Sequence, residues 1–192
     1  MSSDNEFVEL DKAHHDRATF DCGEEEVNTF LQTQAARHME VGISRTMLLP
    51  ASVPLSNGKY PIRAFYTIAP SSIRRETLPA SLAKKLPLYP VPVFLLAQMA
   101  VHVESQGKGL GKVTLIKALA YLWAIHSHMP AFAVIVDCLH PSAERFYTKY
   151  GFEFLCHHNG RTRMFISMKT VAQLPFPSVV RSENCNGNMG TK

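Results

Sequence analysis

Apolar residues recur at two different spacings along the chain, and each spacing predicts a type of element. Helical spacing over residues 20–42 predicts a helix, with apolar positions at Val27, Phe30, Leu31, Ala35 and Met39. We expect Asp21 to cap this helix and Gly42 to end it, and three glutamates occupy its first turn, where the helix dipole favours negative charge. A second long helix is predicted over residues 110–127.

The other apolar segments predict strands and short helices. Strands are expected at 7–10, 45–52, 60–73, 91–103 and 131–139, followed by a hairpin over 152–168 that turns at Asn159-Gly160. The run 91–103 is apolar throughout and suits a central strand covered on both faces. Short helices are predicted at 79–86 and at 141–151, where proline occupies the first helical position and glycine follows the last.

The resulting order is β-α-β-β-(α)-β-loop-α-β-α-β-β, which predicts an α/β (α+β) fold with a mixed sheet in one domain. We expect the folded domain to span residues 1–174. The tail, residues 175–192, is polar and rich in Asn and Gly, and it is expected to be disordered.

Composition narrows the class of protein. The 192 residues are 46% hydrophobic and 19% charged, which is typical of a soluble globular protein. No apolar run is long enough to span a membrane, no secretory signal is visible, and the four cysteines form no CxxC pair, so a reduced, cytoplasmic chain is expected. The net charge of +4 favours polyanionic partners slightly, but it equally fits an ordinary basic protein.

Three glycines crowd the loop between the predicted strand 91–103 and the helix that follows. Gly107, Gly109 and Gly111 fit neither the GxxxxGK[ST] phosphate loop nor the GxGxxG dinucleotide motif. Glycines before a helix let backbone N–H groups converge on an anion, and Lys108 and Lys112 add positive charge, which together suit a pyrophosphate. The alternative is a flexible turn between a strand and a helix.

Two further stretches give this loop a context. The loop resembles the Q/R-x-x-G-x-G/A acyl-CoA loop of the GNAT superfamily of N-acetyltransferases, and "AERFYTKYGFEF" resembles the helix-to-strand segment of the same superfamily. The stretch "FDCGEEEVNTFLQTQAARHMEVGISRTMLL" is similar to the opening of one branch, the bacterial toxins of type II toxin–antitoxin pairs that acetylate the amino group of aminoacyl-tRNA. The resemblance covers residues 20 to 170.

The resemblance implies a GNAT fold, a central mixed sheet flanked by helices, with acetyl-CoA as the acetyl donor. The strand before the loop would offer backbone groups of Met99, Ala100 and Val101 to the pantetheine arm. Tyr147 matches the residue that protonates the departing thiolate, and Tyr150 is the weaker candidate. The pyrophosphate would lie on the backbone of the loop, whose residues are Gln106, Gly107, Lys108, Gly109, Leu110, Gly111 and Lys112.

Other polar residues carry less specific signals. The α-amine of an aminoacyl ester needs no dedicated general base. His102 is the alternative candidate for such a base, although a structural or substrate-lining role is favoured for this residue. Cys138 and Cys156 are interpreted as core residues. No histidines stand at metal-site spacing with a third ligand, so no metal is expected.

The implied partners are aminoacyl-tRNA, a ribbon-helix-helix antitoxin whose complex with the toxin binds operator DNA, and a second copy of the chain in a homodimer. The phosphates of tRNA would be bound by Lys and Arg side chains. Each of these cations alone is equally well interpreted as a solvated surface charge, but together they would bind several phosphates, and that binding would weaken with salt. The candidates for tRNA contact are Arg37, Arg45, Arg74, Arg75, Lys84, Lys85, Arg161 and Arg163.

The chain departs from its branch at three positions. Members of the branch usually carry Arg and Asp where this chain has Gln98 and His102, and Asn where it has His140. Two other functions stay open at this point: a GNAT enzyme acting on a small-molecule amine or a protein N-terminus, and a degenerate GNAT fold that senses CoA or binds a partner. The FDCG stretch and the basic residues speak against the former, and the glycine loop with Tyr147 against the latter.

Overall fold

A computed structural model describes residues 6–176 of the chain. The tail predicted to be disordered, 175–192, lies outside the described residues from position 177 onward, so the division at residue 174 stays a prediction.

The elements follow the predicted order, with several short additions. The strands are β1 (Val8–Glu9), β2 (His15–Asp16), β3 (Arg45–Pro50), β4 (Tyr60–Ile73), β5 (Val91–Val101), β6 (Ala133–Cys138), β7 (Glu153–His158) and β8 (Arg161–Ser167). The helices are α1 (Glu25–Thr29), α2 (Ala35–Glu40), α3 (Ala80–Ala83), α4 (Leu110–His126), α5 (Pro141–Lys149) and α6 (Met168–Val171), with 3-10 turns at Arg75–Thr77 and Val103–Ser105. The sequence did not predict β2, α6 or the π-helical turn Phe30–Gln34 that joins α1 to α2.

Seven strands form one sheet in the order β1-β3-β4-β5-β6-β8-β7, and β2 pairs with β4 beside it. Neighbours in the order are antiparallel except for β5 and β6, which run parallel and pair only at Phe94 with Val134 and Leu95 with Ile135. Next to this short parallel pairing, the register between β4 and β5 shifts by one residue: Thr67 pairs with Gln98, but Ile68 pairs with Leu96. Ala97 is therefore the extra residue of a bulge. Beyond the bulge β5 continues along β4 without β6, and a gap opens in the sheet.

Helices cover both faces of the sheet. Helices α4 and α5 bury one face through Leu115, Leu119 and Tyr147, which pack with Val134 and Val136 of β6. The helical segment from α1 to α2 covers part of the other face, where its buried apolar residues pack on β3 and β4. The gap between β5 and β6 thus lies between two helical layers.

The start of α1 differs from the prediction. Asp21 does not cap the helix, because the N-cap residue is Glu24 and its side chain makes no capping hydrogen bond. The Asp21 carboxylate instead accepts hydrogen bonds from the Gly23 N–H and the Asn28 side-chain amide, both at 2.8 Å. The backbone N–H of Val103 donates to the Asp21 carbonyl at 2.8 Å. The FDCG stretch is therefore a turn docked on the end of β5. Gly42, with φ of +76°, follows the helix as predicted.

Candidate active site

A cleft of about 320 Å³ occupies the gap between β5 and β6. A smaller chamber of about 80 Å³ shares five lining residues with it, so the two adjoin. The cleft is lined by Cys22, Glu24, Val27, Met99, Ala100, Val101, Gln106, Gly111, Leu139, His140, Ser142, Ala143, Phe146 and Tyr147. The chamber is lined by Val27, Leu96, Ala97, Gln98, Met99, Val136, Asp137, Cys138, Leu139, Ala143, Tyr147 and Arg161.

The glycine loop forms one end of the cleft. Gly107 and Gly109 have φ of +72° and +79°, in the left-handed region that favours glycine. Gly109 is the N-cap residue of α4, a helix of 17 residues whose first N–H groups have no intrahelical partner. These groups and the helix dipole form a site suited to an anion. A methyl group on Gly111 would lie 3.7 Å from the Phe146 ring, so glycine keeps this end of the cleft open.

Five of the ten residues predicted to hold the acetyl donor line the cleft: Met99, Ala100, Val101, Gln106 and Gly111. The side chain of Leu110 packs in the core beside Leu49 and Val101, so only its backbone is available to a ligand. The Lys108 ammonium donates to the Glu104 carbonyl at 2.9 Å. The loop residues that do not line the cleft, Gly107 to Leu110 and Lys112, lie at its glycine-loop end.

Tyr147 lines both the cleft and the chamber, and it is 9% exposed. Burial raises the pKa of its phenol above the ordinary value, with a smaller contribution from Cys138. The side chain is therefore a neutral proton donor at physiological pH. Phe146 and Phe152 fix the ring, with centroids 5.3 and 5.1 Å away. Tyr150 lines neither space and packs on Phe146 instead.

The two histidines at positions of departure have different surroundings. His102 lines neither space; its Nδ1 accepts a hydrogen bond from the Glu104 N–H at 3.3 Å and its ring packs on Phe20. Its position fits a structural role better than that of a general base. The His140 Nε2 lies 3.1 Å from the Glu24 carboxylate, and both residues line the cleft. This pair links α1 to the loop before α5 across the opening.

No protein-family model matches the chain. A curated relative, the tRNA-acetylating toxin of Mycobacterium tuberculosis, is 30% identical over 138 residues, which are 72% of this chain and 78% of the relative. The chain belongs to the tRNA-acetylating toxins.

Solved structures have the same architecture as this tRNA-acetylating toxin. A tyrosine-to-phenylalanine mutant of KacT is similar with a TM-score of 0.79 at 26% identity, covering 88% of this chain and 97% of that one. AtaT complexed with acetyl-methionyl-tRNAfMet is similar with a TM-score of 0.77 at 28% identity, and the match covers 87% of this chain and 96% of that one. AtaTR bound with AcCoA is similar with a TM-score of 0.74 at 29% identity, and the match covers 87% of this chain and 95% of that one. The mixed sheet flanked by helices and the GNAT fold are thereby confirmed.

Two cations expected to contact tRNA form ion pairs beside the chamber of the toxin. Arg163, with a side chain 13% exposed, binds the Asp137 carboxylate through two hydrogen bonds of 2.6 and 2.7 Å. Its guanidinium is therefore paired with a carboxylate of the neighbouring strand and is not free to bind a phosphate. Arg161 donates from one nitrogen, Nη2, to both carboxylate oxygens of Glu26, at 2.6 and 2.7 Å, and it lines the chamber.

The other six cations are spread over the molecule. Arg45 donates to the Tyr121 hydroxyl at 3.2 Å and Arg75 to the Leu86 carbonyl at 2.9 Å, while Arg37 is exposed on α2. Arg74, Lys84 and Lys85 are exposed between β4 and β5, at the end of the sheet opposite to the glycine loop. The fold therefore does not gather the eight candidates into one patch, and tRNA contact by the exposed ones stays a proposal.

Two further properties bear on the kind of site. Across residues 6–176, no group of three or more His, Cys, Asp or Glu side chains is arranged to hold a metal ion. None of the helices in this part of the toxin combines the length and the apolar character needed to cross a membrane.

Proposed function

We propose that the chain is the toxin of a type II toxin–antitoxin pair. It transfers the acetyl group of acetyl-CoA to the α-amino group of aminoacyl-tRNA, and the acetylated amine can no longer form a peptide bond, so translation stops. The observation that carries this proposal is the cleft between β5 and β6, which joins a helix N-terminus suited to pyrophosphate with a buried tyrosine. Membership of the tRNA-acetylating toxins supports the acceptor.

The donor site follows from the shape of the cleft. The N-terminal turn of α4 and its glycines hold the pyrophosphate through backbone N–H groups. The edge of β5 from Met99 to Val101, which has no hydrogen-bonded partner in β6, supplies backbone groups to the pantetheine amides. This arrangement positions the thioester near the bulge at Ala97, where the cleft meets the chamber.

The transfer needs no covalent enzyme intermediate. The neutral amine attacks the thioester carbonyl, a C–N bond forms, the C–S bond breaks, and the amine proton passes to solvent. Tyr147 donates its phenolic proton to the departing thiolate and is reprotonated from water. General acid catalysis of this kind contributes roughly 100- to 10,000-fold. Cys138 packs in the core cluster beneath α4 and α5, and burial raises the pKa of its thiol to about 11, which favours the unreactive thiol form.

The partners follow from the same reading. Exposed cations such as Arg37, Arg74, Lys84 and Lys85 contact tRNA phosphates, and binding weakens with salt. The reaction takes place in the cytoplasm, where aminoacyl-tRNA is used. A ribbon-helix-helix antitoxin neutralises the toxin, their complex binds operator DNA, and the toxin is a homodimer.

The test is incubation of the purified protein with labelled acetyl-CoA and charged total tRNA, followed by mass spectrometry of the released aminoacyl adducts. We expect the label on the α-amino group of aminoacyl esters. Label only on free amines or on peptides would replace this proposal by an acetyltransferase of small amines or protein N-termini. Tight CoA binding with no transfer to any amine would indicate a CoA sensor.

A further inference from the structure

The smaller chamber passes through the sheet from one face to the other. Along β6, Val136 and Cys138 belong to the core cluster beneath α4 and α5, where Tyr147 lies. Successive side chains of a strand point to opposite faces, so Asp137 points to the face that α1 covers. Both Asp137 and Tyr147 line the chamber. A group reaching the bulge of β5 from the α1 face therefore passes Asp137 before it meets the thioester.

The Asp137 carboxylate is built into the sheet. Its side chain is 23% exposed, and Arg163, its direct cross-strand partner in β8, binds both carboxylate oxygens. Such a two-pronged pair fixes the position of the carboxylate beside the chamber. Each oxygen retains a second lone pair, so the carboxylate can accept further hydrogen bonds from a group in the chamber.

The other charges near the chamber are already compensated. Arg161 is the one other charged residue that lines it, and both of its short hydrogen bonds go to Glu26. Gln98 lines the chamber from β5, close to the bulge, and contributes a neutral amide whose oxygen is a hydrogen-bond acceptor. Acceptor groups on β5 and β6 thus face a space that adjoins the position of the thioester.

We propose that Asp137 and Gln98 form the subsite for the acceptor amine, which binds the α-ammonium group of aminoacyl-tRNA. This inference rests on the proposed function and identifies the part of the substrate that the chamber recognises. Asp137 accepts hydrogen bonds from the ammonium and Gln98 adds its amide oxygen, on the opposite side of the gap from Tyr147. The ammonium loses its proton to water before attack.

The test compares two ligands in the absence of acetyl-CoA: an aminoacyl-tRNA, and the same tRNA charged with the corresponding α-hydroxy acid. At pH 6.5 the amine is protonated, and a hydrogen-bonded carboxylate is expected to favour the aminoacyl form about 10-fold in Kd. Asp137→Asn is expected to reduce this ratio to near one. It should also raise KM for aminoacyl-tRNA while leaving KM for acetyl-CoA unchanged.

Two further variants keep the test decisive. Glu25→Gln removes an exposed carboxylate of α1 that lines neither the cleft nor the chamber, and the ratio should stay at the wild-type value. Gln98→Leu leaves the Asp137–Arg163 pair intact and should lower the ratio several-fold, which decides the question if Asp137→Asn fails to fold. An unchanged ratio in both chamber variants, or no preference in the wild type, overturns the inference. Failure of the wild type to acetylate aminoacyl-tRNA would instead overturn the proposed function.

Discussion

The side-chain amide of Gln106 donates a hydrogen bond of 3.0 Å to the carbonyl oxygen of Cys22, although 84 positions separate the two residues. The same nitrogen donates to the Val101 carbonyl at 2.9 Å. One amide thus joins the FDCG stretch, the end of β5 and the glycine loop. These three parts form the donor end of the cleft, and their relative positions depend on this side chain.

Replacing Gln106 should loosen the donor end. Gln106→Ala leaves two carbonyl oxygens without this donor and is expected to cost about 1–3 kcal/mol of unfolding free energy. Gln106→Glu should cost more, because it directs a carboxylate at the same two carbonyls. Chemical denaturation measures the loss, and calorimetry should show weaker acetyl-CoA binding. Gln173→Ala, at an exposed position, is the control; an equal effect there would contradict the joining role of Gln106.

Alanine substitutions at two glycines of the loop should have different effects on the stability of the fold and on acetyl-CoA binding. Gly109 has φ of +79°, so Gly109→Ala is expected to destabilise the fold by about 1–2 kcal/mol. Gly111 lies inside α4, where alanine is favoured by up to about 1 kcal/mol, and the added methyl meets Phe146 at an ordinary 3.7 Å. Gly111→Ala should therefore keep or raise the melting temperature. Because Gly111 lines the cleft, the same change should weaken acetyl-CoA binding, and unaltered affinity would contradict the placement of the donor.

Removing the hydroxyl of Tyr147 should abolish turnover without disturbing the fold. Tyr147→Phe keeps the packing of the ring, so the melting temperature and the Kd for acetyl-CoA should stay close to the wild type. We expect kcat to fall roughly 100- to 10,000-fold, since the thiolate loses its proton donor. Tyr150→Phe, at the C-cap position directly after the same helix and outside the cleft, should retain activity. Equal activity of the two variants would remove Tyr147 from the mechanism.

The buried thiol of Cys138 gives a pH-dependent prediction. Its pKa is raised from 9.0 to about 11 by burial, so the folded state binds this proton more tightly than the unfolded chain does. The stability that this provides is complete below pH 9 and is lost as the pH rises from about 9 toward 11, which alkaline unfolding curves will show. Cys138→Ala should flatten that loss and keep kcat within a few-fold. Loss of turnover in Cys138→Ala would indicate a covalent acetyl-enzyme instead.

The sequence predicted those parts of the site that lie in contiguous stretches. The glycine loop and the segment around Tyr147 have local signatures, and the structure places both at the cleft. Glu24 and Asp137 had no such signature, because their surroundings come from His140, 116 positions away, and Arg163, 26 positions away. Only the register of β6 on β8 brings the latter pair together.

The errors at secondary-structure level also have physical causes. Asp21 is a common N-cap residue type, but its carboxylate is taken by the turn at Gly23, which has φ of +87°. The strand β2 has two residues, too few for an apolar period to register. The π-helical turn Phe30–Gln34 widens the helix locally. The apolar spacing did not indicate this turn, because it fits one continuous α-helix.

The central claim is that the acetyl acceptor is the α-amine of aminoacyl-tRNA. The most direct measurement expresses the chain in cells, extracts total tRNA under acid conditions and identifies the released aminoacyl groups by mass spectrometry. Our account predicts N-acetylated aminoacyl groups with the wild type and none with Tyr147→Phe expressed at the same level. Unmodified aminoacyl-tRNA in wild-type cells whose growth has stopped would contradict it.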